Sequence, residues 1–173
     1  SHLSGVTDCK NIKVWGRSDK STEQYIEDMN QDGWNVRKAE STCDIAESCD
    51  LIITATPSKI PLLKKESLKK GTHITALGSD SPGKQELEHD IFAKADLIVA
   101  DSKLQCLERG EIHHAIKHGI IEEGDVQELG SLISANEPIY RDEDQITIAD
   151  LTGVAVQDIQ IAKAVYEECE RIN

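Results

Sequence analysis

The sequence predicts an α/β domain built on a doubly wound, mostly parallel sheet. Three observations predict this class: short apolar runs, polar segments with helical spacing between them, and turn residues at the boundaries. The runs are continuously apolar and do not alternate with polar residues, which is typical of parallel strands covered on both faces. Alternation of strand and helix along 173 residues indicates one such domain, from residue 1 to 173.

The first two strands are each expected to lead into a helix. The expected bounds are strands at 11–16 and 34–38, and helices at 19–32 and 42–47. Ser18, Ser21 and Thr22 carry side chains of the kind that cap a helix N-terminus, so the longer helix begins beside them. Gly33 is expected to end that helix.

The same alternation continues through the rest of the chain. Apolar runs bounded by turn residues predict strands at 51–56, 73–77 and 97–100. Helical spacing predicts helices at 84–93, 110–117 and 126–134. A late strand at 145–149 leads through 150–153 into a long final helix that ends near Ile172.

Composition excludes several classes of function. A formal net charge of −13 repels phosphate backbones, and no basic cluster interleaved with aromatics offsets it, so we expect no nucleic-acid partner. No run approaches the roughly 18 apolar residues that cross a bilayer, so we expect no membrane association. The five cysteines are odd in number and never spaced C-x-x-C, which favours reduced thiols in a cytoplasmic protein.

Ligands of such sheets bind beyond the carboxyl ends of the strands, so the residues after each strand are candidates. After the first strand, a dinucleotide fold normally places an acid that accepts from the adenosine ribose. Here no acid occurs before Asp19. The guanidinium of Arg17 matches a 2′-phosphate, so Arg17 and Ser18 favour NADP over NAD. An exposed arginine that merely leads a helix explains the position equally well.

The loop at 78–84 is the most informative stretch, because two glycines and a proline shape it around one carboxylate and one amine. Just past a buried strand, we expect the carboxyl of Asp80 to be desolvated and its pKa raised, which suits proton exchange with an amine or water. The alternative is that Asp80 caps a helix beginning near Lys84. Lys84 faces either a pyrophosphate or solvent. Thr54 to Ser58 also offers small hydroxyl side chains, although an ordinary turn explains that stretch as well.

Three histidines lie close together in the chain at 113, 114 and 118. His114 and His118 share a helical face, which is one element of a metal site. The sequence places no third ligand beside them, so we predict a structural or solvent-facing role and no metal.

In their order, the strand ends resemble the ornithine cyclodeaminase/mu-crystallin family over nearly the whole chain. The matching motifs are Val14-Trp15-Gly16-Arg17-Ser18, Thr54-Ala55-Thr56-Pro57-Ser58, Gly71-Thr72-His73-Ile74, the stretch from Gly78-Ser79-Asp80-Ser81-Pro82-Gly83-Lys84 to Leu87, Gly110-Glu111-Ile112, Glu128-Leu129-Gly130 and Asp150-Leu151-Thr152-Gly153 to Asp158. The stretch from Gly78 to Leu87 is the most specific of them.

The resemblance implies a Rossmann-like domain that carries NAD(H) or NADP(H), within a two-domain homodimer. It implies that Asp80 is the catalytic acid/base and contacts the substrate together with Thr152. Cofactor contacts are implied for Arg17, Ser18, Thr56, Ile74, Thr75, Ala76, Leu77, Lys84 and Leu151. The segment 152–173 is then a terminal helix that packs on a substrate domain.

Two departures from the family pattern stand out. The family's first Rossmann strand and its G-x-G-x-Q loop should precede Asn11, and these 173 residues contain no such glycine pattern. The sheet would then lack a strand between those beginning at Asn11 and Leu51, so either the chain is a fragment or another segment fills that place. Leu151 also stands where relatives often carry Ser.

The resulting hypothesis is an NAD(P)-dependent enzyme that acts on a small amino acid or cyclic imine. It is either an ornithine cyclodeaminase-like lyase, which removes and returns a hydride, or an alanine dehydrogenase or ketimine reductase. The alternatives are a non-catalytic crystallin-like binding protein and an inactive fragment. Crystallin-type members tend to lack the aspartate that is Asp80 here, so its presence favours the enzymes.

Overall fold

A computed structural model describes residues 7–135 and 140–172. In these ranges the elements follow the order β1 Asn11–Val14, α1 Asp19–Gln31, β2 Asn35–Lys38, α2 Thr42–Ser48, β3 Leu51–Thr54, β4 His73–Ala76, β5 Leu97–Ala100, α3 Lys103–Cys106, α4 Glu111–Lys117, β6 Val126–Glu128, α5 Leu129–Ser134, β7 Thr147–Asp150 and α6 Ala155–Ile172. Short 3₁₀ helices occupy Lys65–Ser67, His89–Lys94 and Glu123–Asp125. The predicted alternation of strands and helices is confirmed.

The strands form two parallel groups. Five of them build one sheet in the order β3-β4-β7-β5-β6, and β1 pairs with β2 in a separate group. The last strand in the chain therefore lies at the centre of the larger sheet. The family pattern would place a further strand between β1 and β3. Among the described residues no strand occupies that position. On β3, Leu51 is 43% and Ile53 is 50% exposed, so this face of the strand is uncovered.

One row of aliphatic side chains crosses the larger sheet and forms the centre of the core. Paired positions bring together Ile52, Ile74, Ile148, Ile98 and Val126, one residue from each strand. Each is at most 4% exposed. Burial of one such side chain stabilises the fold by about 1.5–3 kcal/mol, so this row fixes the register of all five strands.

The start and end of α1 follow the predicted cap chemistry. The hydroxyl oxygen of Ser18 accepts a hydrogen bond from the backbone N–H of Ser21 at 3.3 Å, and Ser18 is the N-cap. Gly33 follows the C-cap Asp32 with a φ of 84°, a backbone conformation that glycine adopts without a steric penalty. Ser18 and Gly33 therefore fix where α1 begins and ends.

One expected helix is absent and another is shorter than expected. Residues 126–134 contain strand β6 before the short helix α5, because Val126 pairs with Ile98 at the edge of the sheet. Residues 84–93 contain no α-helix. That stretch is held in an extended path by a bridge between Leu63 and Leu87, and only a 3₁₀ helix follows at His89–Lys94. Tertiary pairing therefore overrides local helical spacing in both places.

Candidate functional site

The topology gathers three strand ends at one edge of the sheet. Because β3, β4 and β7 are neighbours and parallel, the residues after Thr54, Ala76 and Asp150 lie side by side. The main chain continues this pairing beyond the strands: Leu77 N–H donates to Thr54 O at 2.8 Å, and Leu151 N–H donates to Ala76 O at 2.9 Å. The predicted site residues of these three segments therefore come together.

A cavity of about 360 Å³ lies between the end of β1 and the end of β3. One wall is formed by the turn that leads into α1 and the other by the turn after β3. The lining residues are Val14, Trp15, Gly16, Arg17, Ser18, Ser21, Thr22, Tyr25, Ala55, Thr56, Pro57, Ser58 and Leu62. The predicted residues Arg17, Ser18 and Thr56 thus share one cavity.

Arg17 and Ser18, on the α1 side of the cavity, differ in their hydrogen bonding. Arg17 is exposed, and its guanidinium is available to an anion at the mouth of the cavity. Ser18 is engaged as the helix cap, while its carbonyl accepts from the N–H and hydroxyl of Thr22 at 3.0 and 2.9 Å. A side chain at Gly16 would put its Cβ 2.9 Å from Thr22 Oγ1, so glycine is needed for the close approach of the turn to the helix.

A second cavity, of about 220 Å³, lies above the ends of β4 and β7. It is lined by Leu77, Asp80, Leu151, Thr152 and Gly153. All but Gly153 are residues that the sequence singled out, and they come from two segments about 70 residues apart in the chain. The parallel pairing of β4 with β7 is what joins them.

Asp101, which was not among the residues predicted from the sequence, contacts the loop that lines the second cavity. Its carboxylate accepts from Gly153 N–H at 2.8 Å and from the Thr152 hydroxyl at 3.2 Å. The side chain of Thr152 is 5% exposed, so its hydroxyl is committed to this contact and its position is fixed. The loop after β7 is therefore rigid where it meets the cavity.

The electrostatic expectation for Asp80 needs correction. The carboxylate is 54% exposed and not desolvated, and it forms an ion pair with Lys84 at 2.7 Å. The hydrogen bond from Lys84 lowers the pKa of Asp80 below its ordinary value, where a raised one was expected. The alternative role is also wrong, because no α-helix begins near Lys84 for Asp80 to cap. Asp80 is therefore an ionised carboxylate at the second cavity.

The loop that carries Asp80 is braced from inside. Ser79 is buried, and its hydroxyl donates to the carbonyl of Lys84 at 2.7 Å, which closes the loop on itself. The same carbonyl lies 2.9 Å from Nε2 of His114 on α4. Gln85 N–H donates to Ser58 O at 2.9 Å, so the Asp80 loop also contacts the turn that lines the first cavity.

Four consecutive residues, Ile74 to Ala76 in β4 and Leu77 just after it, were predicted to face a cofactor, and the structure separates them. Ile74 is 0% and Ala76 is 1% exposed, so both side chains belong to the core and present no surface to a ligand. Thr75 is half-buried on the opposite face, where its hydroxyl lies 3.1 Å from His73 Nε2. Leu77 is 41% exposed and reaches the second cavity. Strand alternation explains the division.

Three buried acids behind the cavities were also missed: Glu86, Glu111 and Asp150. Glu111 accepts from the N–H groups of Glu86 and Leu87 at 2.6 and 3.0 Å, and Asp150 accepts from Ile112 N–H at 2.8 Å. Burial raises the pKa of Glu111 to about 8 and that of Asp150 to about 7. Glu111 directly follows a glycine and Asp150 directly follows a mostly apolar run, and these positions are the sequence signal that could have found two of them; Glu86 lies in a polar stretch and carries no such signal.

The histidines make local contacts instead of forming a ligand set. The rings of His89 and His118 stack with centroids 4.0 Å apart, and His118 Nδ1 bonds the carbonyl of His114 at 2.8 Å. In the part of the chain that the structure describes, no three His, Cys, Asp or Glu side chains are grouped as metal ligands. Nor does any described helix combine the length and apolarity that a membrane span requires.

Comparisons with known proteins identify relatives in sequence and in fold. The model of the ornithine cyclodeaminase/mu-crystallin family matches residues 2–173. An alanine dehydrogenase from Archaeoglobus fulgidus is 36% identical over 166 residues, which are 95% of this chain and 51% of that protein. An archaeal alanine dehydrogenase dimer with bound NAD superposes with a TM-score of 0.90 at 35% identity, over 99% of this chain and 53% of that one.

A second solved structure with a similar fold is that of a reductase. It is the Δ1-pyrroline-2-carboxylate reductase of Thermococcus litoralis in complex with NADH and L-proline, with a TM-score of 0.89 and 26% identity over 98% of this chain and 53% of that one. The chain therefore spans about half the length of the relatives it matches. The family match over nearly every residue and the shared parallel fold place this Rossmann-like chain in the ornithine cyclodeaminase/mu-crystallin family.

Proposed function

We propose that this chain is the cofactor-binding part of an NAD(P)-dependent enzyme that acts on a small amino acid or cyclic imine. One observation carries the proposal: two cavities lie along the carboxyl edge of a parallel sheet, and Asp80 stands at the second with its carboxylate exposed. Dinucleotides bind along this edge in open α/β sheets. Relatives with bound NAD or NADH support the assignment.

The residues present suit the two ends of a dinucleotide. At the first cavity, Arg17 and the hydroxyl-rich turn around Thr56 suit the adenosine ribose, and Arg17 favours NADP because its planar fork pairs with a 2′-phosphate. At the second, Leu77 and Leu151 offer apolar surface to a nicotinamide ring, and Thr152 stands beside it toward the substrate. Lys84 is placed for a phosphate only by giving up part of its pairing with Asp80.

The proposed chemistry rests on Asp80. When bound, the cofactor supplies hydride exchange at the carbon that bears the amine or imine nitrogen. Lys84 keeps the carboxylate of Asp80 ionised, so Asp80 accepts a proton from the substrate amine or from water in the oxidative direction and returns it in the reductive one. The apolar side chains of Leu77 and Leu151 restrict water at the same cavity.

The class of enzyme depends on which of the two reactions is catalysed. In the cyclodeaminase version the enzyme is a lyase, since ring closure expels ammonia, and in the reductase version it is an oxidoreductase. We further propose a cytoplasmic homodimer in which the segment 152–173 packs on a substrate domain of the longer protein. Exposed apolar side chains along α6 support that packing: Val156, Ile159, Ile161, Val165 and Tyr166.

Replacing Asp80 tests the proposal directly. In an enzyme of the relatives' full length that carries this segment, Asp80→Asn should lower turnover by roughly 10²–10⁴-fold, the range that general acid–base catalysis supplies. Fluorescence titration should show nearly unchanged affinity for NADH or NADPH, because the variant keeps shape and loses only the basic oxygen. Turnover is assayed with L-alanine, L-ornithine and Δ1-pyrroline-2-carboxylate.

Asp90→Asn is the matched control, since Asp90 lies outside both cavities and contacts His89. Near-normal turnover in Asp80→Asn would remove the catalytic assignment. Failure of the parent enzyme to bind either dinucleotide would remove the cofactor proposal as a whole. The ratio of NADPH to NADH affinity, compared in Arg17→Ala, tests the NADP preference.

A further inference from the structure

The carboxyl group of Glu86 joins the ends of two strands from behind the cavities. Its Oε1 accepts from Thr56 N–H at 2.6 Å, and its Oε2 accepts from Gly78 N–H at 3.0 Å. The residue is 0% exposed and lines neither cavity. One side chain therefore links the turn after β3, which lines the first cavity, to the loop after β4, which carries Asp80.

Gly78, Thr56 and the carboxyl group of Glu86 are packed so closely that no Cβ fits at position 78. A Cβ added at Gly78 would lie 2.2 Å from Thr56 O and 2.4 Å from Glu86 Oε2. Any side chain at position 78 would therefore push the turn, the loop and the carboxyl group apart. Glycine is required here for close approach and not for an unusual backbone angle, since its φ is not in the left-handed region.

The backbone of Glu86 is itself fixed, so the carboxyl group cannot follow a displaced loop. Its N–H donates to the carboxyl of Glu111 at 2.6 Å, and its carbonyl accepts from Leu62 N–H and Leu63 N–H at 2.6 and 3.1 Å. Glu111 is 0% exposed and begins α4, which packs under the loop. Glu86 is thus anchored to the core at one end and to both cavity loops at the other.

We propose that Glu86 is a positioning residue that sets the spacing between the two cavities, acting through the main chain of Thr56 and Gly78. The inference rests on the proposed function, because it assigns the two cavities to the two ends of one dinucleotide. A ligand that spans both cavities depends on their separation, whereas a ligand that fills one cavity does not. Removing one carboxylate oxygen of Glu86 as an acceptor leaves the N–H of Thr56 or of Gly78 buried and unpaired. The free-energy cost of that unpaired N–H then destabilises the position of one of the two loops.

The test compares Glu86→Gln with its parent in the full-length enzyme, at a temperature where both are folded by circular dichroism. The amide keeps the shape of the side chain but accepts at only one of its two terminal atoms. The dissociation constant of NADH should rise roughly tenfold, or about 1.4 kcal/mol, because one buried donor is left unsatisfied. The dissociation constant of AMP, which fills the first cavity alone, should rise by a smaller factor. A general loss of stability would raise the dissociation constants of NADH and AMP by similar factors, so it would not produce this difference.

Glu88→Gln is the matched control, since Glu88 also accepts a backbone N–H, from Lys65 at 3.1 Å, but contacts neither cavity loop. It should leave both affinities unchanged. An unchanged NADH affinity in Glu86→Gln, or equal weakening of NADH and AMP, would overturn the positioning role. A parent enzyme that binds neither NADH nor NADPH would instead refute the proposed function.

If Glu86→Gln does not fold, Gly78→Ala disturbs the same contact from the other side and should weaken NADH more than AMP in the same way. Loss of the fold in both variants would also overturn the proposal, because it would assign the contact to the stability of the domain and not to the spacing of the cavities.

Discussion

At the scale of single residues, the ion pair between Asp80 and Lys84 sets the charge state of the carboxylate at the second cavity. The two side chains are four positions apart, on an irregular loop instead of a helix, and the loop is closed by Ser79. Exposure alone would leave Asp80 near its ordinary pKa, and the pairing with Lys84 moves the pKa down. The carboxylate of Asp80 is thus kept ionised by Lys84, whose side chain is 24% exposed.

Lys84→Met should raise the pKa of Asp80 toward its ordinary value, because the variant removes the hydrogen bond and charge that lower it. In the full-length enzyme, the acidic limb of the pH profile of kcat/KM should move to higher pH. Lys94→Met is the control, since Lys94 contacts the carbonyl of Lys65 and not the site. An acidic limb that stays in place would mean that another group than Asp80 controls it.

At the scale of elements, the start of α4 is built around an acid from β7. Gly110 precedes the helix with a φ of 92°, and Asp150 accepts from Ile112 N–H in the first turn. A Cβ at Gly110 would lie 2.5 Å from Asp150 Oδ2 and 2.9 Å from Thr152 Cγ2. The N-terminus of α4 and the loop after β7 are therefore fitted together with no room for a side chain.

Gly110→Ala should lower the free energy of unfolding by about 1–3 kcal/mol, because it adds backbone strain and displaces Asp150. Urea denaturation followed by circular dichroism measures the loss. Gly124→Ala is the comparison, since a Cβ there meets nothing within 4 Å and its φ is not left-handed. Equal midpoints for the two variants would show that the close approach at Gly110 relaxes without cost.

At the scale of the whole molecule, the buried acids link folding to pH. Glu111 titrates at about 8 and Asp150 at about 7 in the folded protein, in both cases because burial disfavours the charged form. Their ordinary values are 4.5 and 3.8. Between the ordinary and the raised values, the folded state binds more protons than the unfolded state, so stability falls as pH rises.

The lowered pKa values of His73 and His114 make stability rise with pH below their ordinary value of 6.5, so the two acids act unopposed by them only above it. From pH 6.5 to about 8 the melting temperature should therefore fall, and it should level off above the folded pKa of Glu111. Circular dichroism melts across this range measure the slope. Glu111→Gln should flatten it, because the amide stays neutral throughout, whereas Glu123→Gln at the exposed 3₁₀ helix should not. A melting temperature that rises or stays constant over this window would show that the two acids remain ionised in the fold.

Much of the architecture was predictable because it is encoded locally. Apolar runs gave six of the seven strands, cap residues such as Ser18 and Gly33 gave the bounds of α1, and the motif around Asp80 pointed to the site. Strand β6 was not predicted, because three residues beside a short helix show no hydrophobic periodicity of their own. They form a strand only by pairing with β5. The same reason removed the expected helix at 84–93, where contact with Leu63 dominates.

The sequence by itself thus determined the α/β class, the family and the strand-end segments that form the cavities. Tertiary structure alone decided that β7 lies between β4 and β5, which places Thr152 beside Asp80. It also decided the direction of the Asp80 pKa and the contacts of Glu86, because both depend on which groups surround an acid. Periodicity and caps are properties of neighbouring residues, whereas burial and charge pairing are set by residues that only the folded chain brings together.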